Sequence, residues 1–313
     1  MKLLQQGDID HATSRIAVVG TFDGVHRGHR FLLDYMKAEA LRCNLEPTVI
    51  TFAQHPLSVI KPQALPPQLT TTAERISLLE ANGVECCIMM EFNESFRQLT
   101  ARQFLELIHR SYGVKKLVVG FDTRFGKDCV DGYEQYREIG KEVGIEVVQA
   151  PKYGSGISSS EIRTMLLTHN IAEANEALGH RYSLEGVVVG GKQIGRTIGF
   201  PTANIEVADS KKLIPSNGVY AVDAIIPHLG EKRYRAMLNI GRRPTIDNPH
   251  APISIEAHII DFEGDIYGKT LRLEFLYFIR HEQRFASLEQ LTEQIQLDRL
   301  AAINICSQGI NRD

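Results

Sequence analysis

Hydrophobic positions in the first half of the chain occur as short apolar runs that alternate with longer segments of helical spacing. In the longer segments, apolar residues recur every three or four positions, which is the period of an amphipathic helix. The apolar runs predict strands at residues 15–20, 46–52, 84–90, 115–120 and 146–150. The amphipathic segments predict helices at residues 27–44, 71–82, 101–112 and 133–144. Strands that alternate with helices indicate a parallel sheet covered by helices on both faces.

The pattern changes from residue 182 onward, where short strand-like runs are broken by Gly and Pro. These runs lie at residues 184–190, 219–227, 233–241, 253–262 and 269–280. Short strands at close spacing favour a β-barrel or a β-sandwich. A final amphipathic segment at 287–306 predicts one helix that closes the chain. We therefore expect an α/β domain at residues 1–180 and a β-rich domain at residues 181–313.

Length and composition agree with two domains, because 313 residues exceed the usual size of one hydrophobic core. No apolar run approaches the ~18 residues of a membrane-spanning helix, and the N-terminus lacks an apolar signal core. The cysteines form no CxxC pair, which favours free thiols in a reducing compartment. The net charge of −3 argues against a general nucleic-acid surface but leaves anionic small ligands open. We expect a cytoplasmic protein with small-molecule substrates and without nucleic-acid or membrane partners; no sequence feature indicates an oligomer.

Two histidines flank a glycine at the junction between the first predicted strand and helix, in the segment VVGTFDGVHRGHR (18–30). This junction follows a strand, so it lies at the carboxyl edge of the sheet, where ligands of open α/β folds bind. The N-terminus of the next helix attracts an anion there, Gly24 permits a sharp turn, and Gly28 permits close approach of a ligand. His26 and His29 can then donate hydrogen bonds to phosphate oxygens as charge grows on a leaving pyrophosphate.

The same two histidines allow other interpretations. The HxxH spacing also suits zinc, although no third ligand stands nearby in the sequence. A purely structural turn is disfavoured, because two buried imidazoles without partners are costly. The position between a strand and a helix favours phosphate binding.

A second polar cluster follows the last predicted strand of this domain, in the segment YGSGISSSEIR (153–163). Ser158 to Ser160 begin a predicted helix, and Arg163 follows within one turn. Hydroxyl groups and an arginine at a helix start can bind phosphate. Taken alone, the segment fits a serine-rich N-cap equally well.

Together, GTFDGVHRGH and ISSSEIR resemble the nucleotidylyltransferase family with HxGH and ISSTxxR signatures, and the form with FDG is similar to bacterial FAD synthetase. The resemblance implies a Rossmann-like fold and transfer of AMP from ATP to FMN. It implies an ATP site formed by Gly20, Phe22, Asp23, His26, Gly28, His29, Ser158, Ser159 and Arg163. Ser160 stands where the family often has threonine, and the hydroxyl is kept.

A third segment, VVGFDTRFGKDCVDG (118–132), resembles the flavin-side loop of that family, usually written GxDFxFG. Asp122 and Phe125 match this pattern and are the flavin-binding residues that it implies. Thr123 replaces the usual aromatic residue, and an arginine often found shortly afterwards is absent. These departures concern the flavin contact and not the ATP chemistry.

The implied reaction agrees with the lack of an evident base in this domain. The phosphate of FMN, with a second pKa of about 6, is already ionised near neutral pH. It needs alignment and charge stabilisation rather than deprotonation. The sequence therefore predicts that His26 and His29 hold and neutralise the triphosphate of ATP.

In the β-rich half, the segment GRTIGFPTANI (195–205) places Thr202 and Asn204 on one side if the chain is extended. A hydroxyl and an amide oxygen are hard ligands suited to Mg²⁺, with phosphates completing its shell. Glu256 lies opposite the apolar face of a predicted strand, where a carboxylate can accept the proton of a hydroxyl substrate during phosphoryl transfer. The apolar face comprises Ile253, Ile255, Ala257 and Ile259. Taken alone, PTAN fits an ordinary loop and Glu256 fits a solvent-facing strand residue.

These segments, with NGVYAV, NIGRRPT and IEAHIIDFEGDIYGK, are similar to riboflavin kinase, and the likeness extends over nearly all of residues 182–300. The resemblance implies a six-stranded barrel without a P-loop. It implies Mg²⁺ ligation by Thr202 and Asn204, a base at Glu256, ATP phosphates beside Gly195 to Gly199, and flavin-side positions at Arg280 and Glu282.

The combined interpretation is a bifunctional enzyme that phosphorylates riboflavin to FMN and then adenylylates FMN to FAD, using ATP and Mg²⁺. One alternative is an active kinase joined to a weakened adenylyltransferase domain, motivated by Thr123. Another is a flavin-responsive binding or regulatory protein. Glu256 argues against that reading, because binding alone does not need a base.

Overall fold

The structure is a computed structural model that describes residues 1–121, 123–128, 132–154, 156–191, 195, 199–242 and 253–308. The chain divides into two compact units, Met1–Ser159 and Ser160–Asp313. The division falls at the start of the helix Ser159–Leu167, which follows the last strand of the first unit. The domain boundary between residues 180 and 181 stays a prediction.

The first unit is built on a parallel sheet. Its strands are β1 Lys2–Gln5, β2 Arg15–Val19, β3 Glu46–Phe52, β4 Cys86–Met90, β5 Val114–Val119 and β6 Glu146–Gln149. Its helices are α1 Arg27–Cys43, α2 Leu57–Ile60, α3 Thr72–Ala81, α4 Glu94–Arg97, α5 Ala101–Tyr112 and α6 Gly132–Val143, with a 3₁₀ turn at Pro62–Ala64. Within the described residues the strands pair in the order β1-β4-β3-β2-β5-β6, all in parallel, which confirms the predicted sheet. The edge strand β1 is not predicted from the sequence.

Alternating side chains along β2 contribute to two apolar layers. Ala17 and Val19 belong to a buried cluster with residues of α5 and α6. Ile16 and Val18 belong to a cluster with residues of α1 and α3 on the other face. Because helices cover both faces, the carboxyl ends of the strands form the edge at which a ligand can bind.

The second unit is a barrel with helices at both ends of its sequence. Its strands are β7 Ser183–Val189, β8 Ala203–Glu206, β9 Gly218–Ile225, β10 Arg233–Arg242, β11 Ile253–Ile259 and β12 Thr270–Arg280. The remaining helices are α7 Ser159–Leu167, α8 Ile171–Leu178 and α9 Leu288–Gln308, with a 3₁₀ turn at Pro227–Leu229. In the described part of the chain the strands form a closed antiparallel barrel in the order β10-β11-β8-β7-β12-β9. This confirms the predicted barrel and decides against the sandwich.

The last helix covers one face of the barrel. Ala302 of α9 packs with Ala221, Met237 and Ile260. Met237 lies opposite Ala221 on β9 and opposite His258 on β11, so these three residues share a face. The predicted closing helix is therefore confirmed. Across the residues that the structure describes, no helix combines the length and the apolar character needed to cross a membrane.

Gly113 ends α5 in the left-handed conformation, at φ +64°, beside the segment that leads into β2. A Cβ at this position would overlap the carbonyl oxygen of Thr13 and lie 3.0 Å from that of His11. We expect Gly113→Ala to lower the free energy of unfolding by about 2–4 kcal/mol, because left-handed strain adds to forced backbone movement. Urea unfolding followed by circular dichroism measures this loss.

Gly83→Ala is the matched control. Gly83 also follows a helix with a positive φ, +77°, but its Cβ would only touch Nζ of Lys37 at 3.6 Å. Here we expect the left-handed strain alone, about 1 kcal/mol. Equal losses at the two glycines would contradict the packing argument.

Candidate active sites

The turn between β2 and α1 holds several residues in the left-handed region. Phe22, Gly24 and Val25 have φ values of +49°, +80° and +38°. Glycine adopts these values freely, whereas a bulky or β-branched residue is strained there. The N–H of Val25 donates to the carbonyl oxygen of Phe22 at 3.1 Å, which closes the turn. Strain of this kind persists at functional sites, where the surrounding structure maintains it.

The buried carboxylate of Asp23 holds this turn against the segment before α3. It accepts hydrogen bonds from the N–H groups of Leu69 and Thr70, at 3.1 and 3.0 Å, and from the Thr70 hydroxyl at 3.1 Å. The same hydroxyl accepts a hydrogen bond from the N–H of Gly24 at 3.1 Å. Asp23 is only 2% exposed, so its carboxylate is used to shape the turn on which the two histidines depend.

The two histidines form a stacked pair at the start of α1. His26 is the N-cap, and its Nδ1 accepts a hydrogen bond from the N–H of His29 at 3.3 Å. The rings lie 3.6 Å apart between centroids, at an angle of 17°. A Cβ at Gly28 would lie 3.2 Å from the His26 ring, so glycine leaves the space that the ring occupies. Within the described residues, the buried Nδ1 of His29 has no hydrogen-bond partner, and it lies at a helix start that favours an anion.

Burial lowers the pKa of His29 well below its ordinary value of 6.5, and the charge of the neighbouring His26 lowers it further. His29 is therefore neutral near pH 7 in this structure. Desolvation therefore opposes a cation at this position, and the prediction that the two histidines hold and neutralise the triphosphate stays a prediction. A neutral ring still donates one hydrogen bond, and a phosphate beside it would raise its pKa.

Gly20 and Phe22 support His29. The Phe22 ring lies 5.1 Å from the His29 ring between centroids and is 1% exposed. A Cβ at Gly20 would lie 3.2 Å from the Phe22 ring. Gly20 thus leaves room for the ring of Phe22, and Phe22 packs against His29.

The segment before α7 lies against the same turn. The Ser159 hydroxyl donates to the carbonyl oxygen of Asp23 at 2.9 Å. A Cβ at Gly28 would lie 3.6 Å from the carbonyl oxygen of Ile157, and Ser158 is the residue between Ile157 and Ser159. The structure therefore brings together the two segments of the first unit that the sequence analysis assigns to one ATP site.

Arg163 lies on α7, one turn after Ser159. It is 8% exposed, and its Nη1 donates to the Ser160 hydroxyl at 3.5 Å. A hydrogen bond of this length is weak.

The loop after β5 forms a tight turn closed by Thr123. The Thr123 hydroxyl accepts the N–H of Gly120 at 2.9 Å, and the Thr123 N–H donates to the carbonyl oxygen of Gly120 at 3.3 Å. Phe125 stacks on Tyr136 at 4.1 Å between centroids, and its N–H and carbonyl oxygen both bond the Tyr136 hydroxyl. Phe125 is thus fixed in this loop, while Asp122 lies outside the described residues.

A cavity of about 260 Å³ opens beside this loop, at the carboxyl end of β5. Its lining includes Phe121, Thr123, Arg124, Tyr133 and Tyr136. Aromatic rings together with an arginine suit a flat heteroaromatic ligand that carries a polar or anionic group. Ligand pockets usually measure ~300–1,000 Å³, so this cavity can hold one part of a nucleotide-sized ligand.

In the barrel, strand register places Glu256 within a row of polar residues. Glu256 of β11 lies opposite Asn204 of β8 on one side and opposite Asn239 of β10 on the other. Directly opposed residues of antiparallel strands share a face and have neighbouring side chains. The structure therefore brings the predicted base and one predicted metal ligand side by side.

The two faces of β11 differ as the sequence predicts. Three of the four predicted apolar residues are buried: Ile255, Ala257 and Ile259. Ile253, the first residue of the strand, lies on the same face but is 37% exposed. Glu256 lies two positions before His258, on the barrel face that α9 covers.

Glycines bring the chain before β8 close to Thr202 and Asn204. A Cβ at Gly191 would overlap the side-chain amide of Asn204. A Cβ at Gly195 would lie 3.5 Å from Cγ2 of Thr202. Gly199, at φ +83°, has open space around its Cβ position. Backbone can therefore approach the two oxygen donors closely, as a phosphate-binding loop requires.

Glu282 lies beside the same polar row. A Cβ at Gly241 would overlap the Glu282 carboxylate and lie 3.3 Å from Nδ2 of Asn239, so both side chains border this glycine. Arg280 instead pairs with Asp298 of α9, with Nε 2.9 Å from Oδ1. Glu282 therefore lies beside the polar row of Asn204, Glu256 and Asn239, whereas Arg280 binds the closing helix α9.

The candidate metal donors of the barrel are uncharged oxygens. No group of three or more His, Cys, Asp or Glu side chains that could hold a metal ion occurs in the described ranges. Thr202 and Asn204 offer a hydroxyl and an amide oxygen, the hard donors that Mg²⁺ accepts when phosphates and water complete its shell. The donor set therefore fits Mg²⁺ that arrives with a nucleotide.

Two residues of these sites are not predicted from the sequence. Thr70 connects Asp23 to Gly24, but nothing separates it in the sequence from the threonines that follow it. Asn239 completes the row with Glu256, and an amide between the apolar residues Leu238 and Ile240 is a signal that could have identified it.

Two family models match the chain. Residues 8–162 match the model described as FAD synthetase, and residues 178–306 match the one described as riboflavin kinase. Fold, sites and matches define a two-domain transferase of flavin nucleotides.

Relatives extend the likeness over more than nine tenths of the chain. Two of them are named bifunctional riboflavin kinase/FMN adenylyltransferase. The one from Escherichia coli K12 is 37% identical, and the match covers 92% of this chain and 91% of the relative. The one from Bacillus subtilis 168 is 35% identical, and the match covers 93% of this chain and 92% of the relative. A Streptococcus pneumoniae crystal structure titled a macrolide-efflux protein superposes with a TM-score of 0.87 and 33% identity, covering 97% of this chain and 99% of that one. The chain belongs to the family of bifunctional riboflavin kinase/FMN adenylyltransferases.

We expect the His29 ring to titrate with a midpoint well below pH 6.5, because burial and His26 disfavour its charge. Ring signals in NMR spectra recorded between about pH 4 and 8 measure the midpoint, with His29 assigned by its loss in His29→Gln. The unfolded chain binds this proton more tightly, so stability falls as the pH drops below 6.5, and His29→Gln removes that dependence. A midpoint at or above 6.5 would falsify this expectation.

Proposed function

We propose that this chain converts riboflavin to FAD in two ATP-dependent steps, with residues 181–313 making FMN and residues 1–180 making FAD from it. The observation that carries the proposal is the row in the barrel, where Glu256 lies directly opposite Asn204. A carboxylate beside a neutral oxygen donor suits a proton acceptor next to a metal-bound phosphate, whereas a binding protein needs no such pair.

In the kinase step, a terminal hydroxyl oxygen of riboflavin forms a bond to the γ-phosphorus of ATP, and the bond from that phosphorus to ADP breaks. Glu256 accepts the hydroxyl proton. Thr202 and Asn204 would hold Mg²⁺, which offsets the negative charge of the phosphates when it is bound. Gly195 and Gly199 would lie beside the phosphates, and Glu282 would lie on the flavin side.

In the adenylylation step, a phosphate oxygen of FMN forms a bond to the α-phosphorus of ATP, and pyrophosphate leaves. The phosphate nucleophile is already ionised, so the residues of the site need not remove a proton. They align the two substrates and stabilise the charge that develops on the phosphates. His26 and His29 donate hydrogen bonds to the phosphates, and Arg163 stabilises the leaving pyrophosphate. Gly20, Phe22, Asp23 and Gly28 shape the turn, Ser158 and Ser159 complete the ATP site, and Asp122 and Phe125 lie on the flavin side.

One test of the proposal is a product assay with riboflavin, ATP and Mg²⁺ that resolves riboflavin, FMN and FAD. FMN followed by FAD supports two working sites. FMN that accumulates without FAD would favour a weakened first domain. Thr123 motivates this second candidate, because its hydroxyl is used to close the turn and no aromatic ring stands there.

Separate variants should disable the two steps independently. We expect Glu256→Gln to lower kcat for riboflavin phosphorylation by about 10²–10⁴-fold, because the proton acceptor is lost. The same variant should form FAD from supplied FMN at the wild-type rate. We expect His26→Asn to lower the rate of FMN adenylylation and to leave riboflavin phosphorylation at the wild-type rate. Loss of both activities in either variant would contradict two separate sites.

The Mg²⁺ requirement of the kinase should depend on Asn204. We expect Asn204→Ala to raise the Mg²⁺ concentration for half-maximal riboflavin phosphorylation by about tenfold, because one oxygen donor is lost. Initial rates over a Mg²⁺ series measure this shift, with FMN adenylylation by the same variant as the internal control. A lower kcat with an unchanged Mg²⁺ dependence would count against Asn204 as a ligand.

A further inference from the structure

The guanidinium of Arg280, at the end of β12, is bound by a buried carboxylate on α9. Nε of Arg280 lies 2.9 and 3.1 Å from the two oxygens of Asp298, and Nη2 lies 2.7 Å from Oδ2. Asp298 is 3% exposed and accepts a further hydrogen bond from Gln294, at 3.0 Å. An arginine–carboxylate pair with two parallel hydrogen bonds fixes the orientation of the guanidinium as well as its distance from the carboxylate.

The other side of the same guanidinium holds the chain that leads to Glu282. Nη1 of Arg280 donates to the carbonyl oxygen of His281 at 3.0 Å. The next residue, Glu282, borders Gly241 and the amide of Asn239. One side chain therefore bonds both the closing helix and the backbone that carries a flavin-side residue.

The closing helix covers the barrel face that bears the polar row. Ala302 of α9 packs on Met237 and Ala221, and Met237 lies opposite His258. Glu256 is two positions along the same strand and shares that face. A displacement of α9 would therefore change the space in which a substrate meets Glu256.

We propose that Arg280 is a positioning residue for riboflavin binding, which acts through Asp298 and the 281–282 backbone and does not contact the flavin. This inference rests on the proposed kinase activity. It differs from the flavin-side position that the sequence resemblance implies for Arg280, because the hydrogen bonds to Asp298 and His281 already engage its guanidinium on two sides.

A double-mutant cycle in the full chain tests the proposal. The variants are Arg280→Gln, Asp298→Asn and the two combined, with KM and kcat measured for riboflavin phosphorylation. We expect each single variant to raise KM for riboflavin about tenfold with little change in kcat, because the substrate is held less well and the chemistry is intact. The combined variant should be no worse than either single one, because both changes break the same link.

Two further variants separate positioning from direct contact. Arg280→Lys keeps the charge but loses the two parallel hydrogen bonds, so we expect the same rise in KM. The exchange Arg280→Asp with Asp298→Arg restores an ion pair between β12 and α9, and it should recover part of the loss. A residue that contacts flavin directly would tolerate lysine better and would not be rescued from position 298.

Arg299→Gln is the matched control on the same helix. It breaks the exposed Arg299–Asp261 pair, 2.9 Å long, and should leave KM unchanged, because exposed ion pairs contribute little. A thermal melt checks that each variant is folded, and adenylylation of supplied FMN is an internal control on the other domain. If a variant at position 298 unfolds, the KM values of Arg280→Lys and Arg280→Gln still distinguish positioning from direct contact, because positioning predicts an equal rise in KM for both.

The outcomes are distinct. Additive effects of the two single changes, or normal KM in Asp298→Asn with a raised KM in Arg280→Gln, would overturn the inference in favour of direct contact. Wild-type protein that does not phosphorylate riboflavin would overturn the proposed function itself.

Discussion

Strand register is the constraint on which both candidate sites depend. In the parallel sheet, the pairing of β2 with β3 and β5 brings the turn after β2 and the loop after β5 to one carboxyl edge. In the barrel, antiparallel pairing puts Asn204, Glu256 and Asn239 into one row across three strands. Because side chains alternate along a strand, a slip of one residue would move Glu256 to the apolar face. The buried Ile255, Ala257 and Ile259 oppose that slip, so the residues that fill the core also determine where the carboxylate lies.

The two sites meet different chemical demands with different side chains. In the first site, the carboxylate of Asp23 is used to bind Leu69 and Thr70. This arrangement agrees with a nucleophile that is already ionised. The second site places a carboxylate in a strand beside an amide, which agrees with a hydroxyl nucleophile that must lose its proton. The neutral state of His29 adds a detail that composition alone does not predict, since burial and the stacked ring of His26 both oppose its charge.

Much of the fold follows from periodicity in the sequence, whereas several functional details depend on contacts between distant residues. The alternation of strands and helices predicts the parallel sheet, and the spacing of short runs predicts the barrel. Strand β1 is missed because only one of its four residues is buried, and α8 because an eight-residue segment carries little periodic signal. Thr70 is missed because its role arises from Asp23, 47 positions earlier in the sequence. The partner of Arg280 lies 18 residues later on another element, so no local pattern reveals that its guanidinium is engaged.

The loop after β5, in which Thr123 stands, is held in place by hydrogen bonds. The Thr123 hydroxyl closes the turn with Gly120. The loop is also anchored to the start of α5, where Asp128 accepts the N–H of Ala101 at 2.9 Å and Lys127 donates its N–H to the carbonyl oxygen of Leu99 at 2.8 Å. A Cβ at Gly126 would overlap this anchor, so glycine permits the close approach. The Thr123 hydroxyl therefore contributes to the turn itself, whereas the anchor at the start of α5 does not involve the side chain of residue 123.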